Sequence, residues 1–586
     1  MLEKPARSAE QTATQWVRAF DLALASGEGE ALRKLFLPDS HWRNLFGISW
    51  HLATFSGNEI LCRELRRRAS EVRAGGFRLD SAALAPRKAV VAGRDVIEAI
   101  ICFDTTNGPG IGAIRLICPP HAAPVAWTMS TSLDFNRICD IRSKKNAPVS
   151  HVRDFANPDW FDERHAEIAF GDREPDVLIV GGGHAGISAA VELKRIGLDA
   201  LMIDRVARVG DNWRLRYHGL KLHNKTPVNH LRYLPFPPTF PDYIPKDKIA
   251  NWLESYVDIM DLNFWTGTSF DGAEYDETTQ RWAAHVRKSD GTARTLRPKH
   301  IVVATSVSGT PNIPEIDTLE NFGGKVLHSS QFAGGKEFSD RPVLVFGTGT
   351  SAHDICQELH AHGADVTMVQ RSPTMVVNVD PSAQLYDQSY LGDGPPVEIR
   401  DLLNSGIPLP VIKAAHKLIT NEVKKLDADL LQRLEQVGFR LEFGEDGTGW
   451  PLKFRTRGGG YYFNVGCSEL IADGKIRLIQ ATDIKRFTAE GLELGDGSTL
   501  NADLVVLATG YKGLDHVVAA RFGEAVAGRV GPIWGFDEKT QELRNMWVRT
   551  PQPGLWFTGG AFSQCRIYSR YIALQIDAIE AGKLDK

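Results

Sequence analysis

The chain has 586 residues, 43% of them hydrophobic and 24% charged, with a net charge of -4. Its length predicts about three to five domains. The acidic balance excludes nucleic acid as the main partner, because a phosphate-binding surface needs a basic excess. No apolar run of about 18 residues is present, so no membrane span is expected. The first residues, "MLEKPARSAEQ", lack the apolar stretch of a signal peptide. Seven cysteines, at 62, 102, 118, 139, 356, 467 and 565, are scattered and show no C-x-x-C spacing. That usage predicts a reducing, cytoplasmic setting.

Residues 1–145 read as an α+β unit. "SAEQTATQWVRAFDLALAS" has apolar residues at helical spacing and ends near Gly27. "GNEILCRELRRRASEV" is a second helix, and its basic run reads as a solvated face. Strand-like runs follow: "RKAVVAG", "VIEAIICFDT", "GIGAIRLICP" and "VAWTMSTSLD". Helices first and strands after predict helices packed on one antiparallel sheet. This order, with "LPDSHWRNLFGISWHLATFSG", resembles the NTF2/SnoaL-like domains. Such domains can catalyse cyclisation or hydration, which makes Asp39 and His41 a candidate acid–base pair. They also serve as lids or for dimerisation, which leaves a homodimer open. Residues 146–173 are polar and proline-containing and read as a linker.

From Asp176 onward, apolar runs alternate with helices across glycine-rich junctions, as in an α/β fold. "DVLIVGGGHAGISAAVELKRIGLDALMIDR" is strand, turn, helix and strand, with Gly181, Gly183 and Gly186 in G-x-G-x-x-G spacing. The first glycine permits the tight turn, the second admits a pyrophosphate, and the third lets helix and strand close up. The helix N-terminus then offers free N–H groups to phosphate. Asp204, with Arg205 beside it, ends the second strand, where a carboxylate accepts from ribose hydroxyls.

The plan recurs in "PVLVFGTGTSAHDICQELHAHGADVTMVQRS", with Gly347, Gly349, Thr350 and Ser351 in the loop and Ala352 in the third position. Here the second strand ends at Gln370 and Arg371. A carboxylate would repel the 2′-phosphate of NADPH, and an arginine fork pairs with it. The first loop is therefore expected to hold FAD and the second NADPH. Two dinucleotide sites imply electron flow from nicotinamide to flavin. Without a close dithiol, molecular oxygen is the remaining common outlet.

"FGGKVLHSSQF" fits F-x-G-x-x-x-H-x-x-x-F at Phe322, Gly324, His328 and Phe332, between the two loops. It resembles the fingerprint of flavin-containing monooxygenases. "RVGDNWR" (Trp213), "LKLHNKTP" (His223, Asn224), "PFPPTFPDYIPKDKIANWLESY" and "LVVLATGYKG" (Thr509, Gly510) also match, and "LKLH" resembles the YUCCA-type branch. Departures are Ser306 after Ala304-Thr305 and Thr350 where the family often has Asn. The resemblance covers about 174–586. It implies an FAD domain from 174–338 and 475–586, interrupted by an NADPH domain over 339–474 whose insert covers the substrate path. It implies that Trp213, His223, Thr305, Thr509 and Gly510 lie at the cofactors and that Asn224 contacts flavin and nicotinamide. His328 is read as a connector.

The implied reaction uses a C4a-(hydro)peroxyflavin to place one oxygen atom in a small organic molecule: a soft heteroatom, a carbonyl or a 2-oxo acid. Baeyer–Villiger insertion, or an NADPH oxidase that releases peroxide, are the alternatives.

Overall fold

The computed structural model describes residues 8–120, 122–145 and 158–585. Its first unit opens with the helix Ala9–Ser26. The Ser8 hydroxyl accepts from the Gln11 N–H, the Gln11 side chain accepts from the Ser8 N–H, and Gly27 ends the helix at φ 71°. Trp16, Val17, Phe20 and Ala23 form its buried face. This face meets a seven-stranded sheet built mainly of antiparallel pairs, although Phe36–Leu45 runs parallel to Val125–Leu133.

Side chains alternate across the strand Arg94–Thr105. Ile97, Ala99, Ile101 and Phe103 join the unit's own core. Val96 and Ile100 face the other way, onto Val411, Leu402 and Leu403 of the distant insert. The sheet is thus buried on both faces, which the helix-on-one-face reading did not anticipate. In the stretch expected to be linker, Trp160–Ala169 is a helix capped by Asp159. The part of that stretch at 146–157 lies outside the described residues.

The two glycine loops each serve a parallel five-stranded sheet, giving a mixed α/β protein with two Rossmann-like units. The first sheet runs Phe264–Trp265, Ala200–Ile203, Val177–Val180, His300–Val303 and Leu555–Phe557. Its short apolar runs are buried on both faces, as parallel strands require. The last helix, Phe562–Glu580, packs beside the loop helix His184–Ile196.

The second sheet runs Lys325–His328, Leu504–Leu507, Pro342–Phe346, Asp365–Gln370 and Arg477–Gln480. This corrects the expected boundaries of 174–338, 339–474 and 475–586. The strands at 325–328, 477–480 and 504–507 belong to the second unit. "LVVL" is apolar on both faces and would suit a central strand of either sheet, and its neighbours decide: it lies between Lys325–His328 and Pro342–Phe346. The chain passes between the units through a short antiparallel pair, Thr310–Pro311 with Tyr511–Lys512. The helices Val397–Ser405, Leu409–Leu426 and Gly449–Arg457 form the insert.

Candidate active site

The first loop is shaped by close backbone approach. Gly181 sits at φ 110°, and a Cβ there would lie 2.5 Å from the Ala304 carbonyl oxygen. A Cβ on Gly186 would lie 2.0 Å from the Gly181 carbonyl oxygen, so the helix rests directly on the loop. The Gly182 N–H donates to Asp204 Oδ2 at 2.8 Å, and the Val206 N–H donates to Oδ1 at 3.2 Å. Asp204 therefore braces the loop as well as ending the strand. Arg205 is exposed beside it.

This loop opens on a cavity of about 1240 Å³. Gly181, Gly183, Asp204, Arg205, Trp213 and Thr305 border it. Two buried polar atoms on this wall, Thr305 Oγ1 and Asn212 Oδ1, have no hydrogen-bond partner among the described residues. Buried polar groups are normally paired, so both are poised for a ligand. A Cβ on Gly183 would meet Asn212 Nδ2 at 2.6 Å, so glycine keeps this cradle open. Together with the free helix N-terminus, these features fit the pyrophosphate and ribose of a dinucleotide such as FAD. Trp213 packs at 5.8 Å from Phe562, and His184 stacks on Phe562 at 4.3 Å. His184 Nε2 bonds the Gly560 carbonyl at 2.8 Å, and burial lowers its pKa. His184 carried no signal in the sequence beyond its place in the loop.

The cavity continues past His223 and Asn224. Burial brings the His223 imidazole down to about 4, so it is neutral at physiological pH. Asn224 Nδ2 donates to Asp387 Oδ2 at 2.5 Å. Burial raises the Asp387 carboxyl to about 6, against the stabilising Asn224 bond. Asp387 lies in a 3-10 segment of the insert, where sequence spacing gave no hint of it.

In the second loop, Gly347 at φ 123° would place a Cβ 2.4 Å from the Ala508 carbonyl oxygen. Gly349 precedes the helix Thr350–Ala361. Thr350 and Ser351 reach the same cavity as the first loop, and Thr350 Oγ1 donates to the Tyr461 carbonyl at 3.0 Å. Gln370 is buried and tied to the Arg440 backbone through both amide atoms. Arg371 is exposed, its carbonyl accepting from Arg440 Nη2 at 2.6 Å. Two guanidinium groups thus come from this corner, of which the sequence showed one.

Thr509 and Gly510, expected at a cofactor, do not border the cavity. Thr509 Oγ1 donates to the Asn312 carbonyl at 2.6 Å, and the Gly510 carbonyl accepts from His328 Nε2 at 3.0 Å. Both are held in the connector between the sheets. Gly186, Gly347, Gly349 and Arg371 also lie off the cavity wall, the glycines as backbone supports. Asp39 and His41 take separate hydrogen-bond partners. Asp39 bonds Arg94 at the surface, and His41 Nδ1 lies 2.8 Å from Ser56 Oγ. The interior of that unit is filled by the rings of Trp16, Phe20, Phe36, Phe77 and Phe103.

Residues 178–389 match the pyridine nucleotide-disulphide oxidoreductase family. All seven cysteines are free, and none borders the cavity. The chain is 30% identical over 341 residues to the probable indole-3-pyruvate monooxygenase YUCCA8 of Arabidopsis thaliana, covering 57% of this chain and 74% of the relative. It is 28% identical to the indole-3-pyruvate monooxygenase YUCCA1 of Oryza sativa subsp. japonica, covering 58% and 77%. Among solved structures, an open form of cyclohexanone monooxygenase superposes with a TM-score of 0.51 at 19% identity, covering 70% of this chain and 88% of that one.

Proposed function

Because the chain belongs to the flavin-containing monooxygenases, oxidoreductases that use FAD and NADPH, we propose that it places one atom of molecular oxygen in a small organic molecule. The site of transfer is a soft heteroatom, a carbonyl or the keto group of a 2-oxo acid. The relatives named for indole-3-pyruvate favour the carbonyl and 2-oxo acid readings. One observation carries the proposal: both glycine loops reach a single cavity, and their second strands end in opposite charges, Asp204 and Arg371.

Bound FAD supplies hydride acceptance and oxygen activation, chemistry no side chain here provides. The chain's own residues bind and orient. Gly181, Gly183 and the N-terminus of His184–Ile196 take the flavin pyrophosphate, and Asp204 takes its ribose. Gly347 and Gly349 bring the second pyrophosphate close to Thr350 and Ser351, and Arg371 pairs with the 2′-phosphate. Trp213 and His184 border the cavity, backed by Phe562, and would limit water near the bound flavin. Burial raises the Asp387 carboxyl to about 6, so this side chain, held by Asn224, is a group able to donate or accept a proton inside the cavity.

Anaerobic mixing of the yellow protein with NADPH, followed by oxygen, tests this reading. The flavin absorbance bleaches with NADPH and far more slowly with NADH. Peroxide released per NADPH then falls when a substrate is supplied. Peroxide release unaffected by any organic compound identifies an NADPH oxidase instead. Absence of bleaching by NADPH removes the proposal.

A further inference from the structure

One part of the cavity wall brings together three parts of the chain. The N-terminal unit supplies Arg43, the insert supplies Arg455 and His416, and the last helix supplies Tyr568. Arg43 is buried and fully engaged. Its Nε and Nη2 donate to the two carboxylate oxygens of Glu542 at 2.8 and 2.5 Å, Nη1 donates to the Ser405 carbonyl at 2.6 Å, and Nη2 also reaches Tyr568 Oη at 3.1 Å. Glu542 is equally saturated, because it also accepts from Thr54 Oγ1 at 3.1 Å.

Arg455, on the helix Gly449–Arg457, differs. It borders the cavity, and no hydrogen bond or ion pair is seen for its guanidinium among the described residues. The nearest acid, Glu542, is already matched by Arg43, so one positive charge is left over. Burial and the repulsion of Arg43 both act against the charged form of Arg455, partly offset by Tyr568, Glu542 and Tyr390. One further buried atom on this wall, Trp450 Nε1, has no hydrogen-bond partner among the described residues. The indole N–H can only donate. A surplus cation beside an unfilled donor is costly unless an anion completes it.

We propose that Arg455 anchors a carboxylate of the substrate, and that Arg43, by neutralising Glu542, is the positioning residue through which the N-terminal unit keeps Arg455 available. The substrates are then small organic acids, held by the carboxylate with the oxidisable group directed toward the flavin. This rests on the monooxygenase reading for its reaction, but the anion site stands on its own geometry. The N-terminal unit becomes a wall of the catalytic cavity rather than a separate enzyme.

The test uses oxidised, FAD-loaded protein without NADPH, titrated with 3-phenylpropionate and with its uncharged amide, 3-phenylpropionamide, and read by the flavin absorbance. The acid binds at least about tenfold more tightly than the amide, the scale of a hydrogen bond to a charged group. Arg455→Gln removes that preference and leaves amide binding and the rate of flavin reduction by NADPH unchanged. Arg455→Lys recovers part of the preference. Equal affinity of acid and amide in the unaltered protein overturns the proposal. So does a loss of NADPH reduction in Arg455→Gln that matches its loss of acid binding, since Arg455 would then serve the cofactor. Failure of the unaltered protein to be reduced by NADPH counts against the monooxygenase reading and leaves the acid-to-amide ratio as a separate result.

Discussion

Asp204 and Arg371 occupy the same place in two copies of one strand–turn–helix–strand plan and meet opposite demands. Asp204 accepts two backbone N–H groups and remains at the cavity edge. Arg371 extends from the surface with Arg440 next to it. Replacing Arg371 by alanine is expected to weaken NADPH binding by about 1.5–3 kcal/mol and leave NADH nearly unchanged. Dissociation constants for the two cofactors check this, and equal losses would mean that Arg371 does not read the 2′-phosphate. Both residues were legible because a strand-end charge has a fixed offset from its glycine loop. Asp387 and Arg455 were not legible. Their neighbours come from remote parts of the chain, and nothing in "LYDQSY" or "LKFRTR" distinguishes them from surface charges.

Each glycine loop leads into a helix laid against its own strand, and the third position of the motif sets how closely the two approach. Gly186 leaves no room for a Cβ, which would meet backbone at 2.0 Å. Ala352 occupies the same position in the second loop and is buried without difficulty. The two loops should therefore respond in opposite ways. Gly186→Ala should cost about 1–3 kcal/mol through overpacking and lower the flavin-to-protein ratio of the purified enzyme. Ala352→Gly should cost about 1 kcal/mol through helix propensity and leave NADPH affinity intact. Thermal unfolding with flavin quantitation distinguishes the two outcomes. The loops were readable because glycine spacing reports backbone geometry directly. The membership of "LVVLATGY" was not, because an apolar strand reveals that it is buried but not which sheet it joins.

At the scale of the molecule, the N-terminal sheet uses both faces, one for its own aromatic core and one against the insert and the last helix. Arg43 and Glu542 lie 499 residues apart in sequence and join these parts. Arg43→Leu strands the Glu542 carboxylate in the interior and should cost about 3–5 kcal/mol, whereas the double change Arg43→Leu with Glu542→Leu should recover most of that loss. Thermal unfolding of the two variants measures the difference, and a double variant as weak as the single would show that the pair is itself a net source of stability. Two helices and the strands from Arg87 to Leu133 followed from periodicity, but the strands Phe36–Leu45, Leu52–Ser56 and Gly75–Leu79 were not read as such, and the second face was not foreseen because its partner lies in the insert. The placement of Leu555–Phe557 at the edge of the first sheet, with Gly559–Gln564 beneath the loop, also bears on how the protein is made. The first glycine loop is translated well before the segment that forms its floor. A nascent chain that has not reached Leu555 lacks the edge strand of the first sheet and that floor, so it cannot close the cradle. A chain truncated before Leu555 is therefore expected to purify without flavin, which its absorbance spectrum checks.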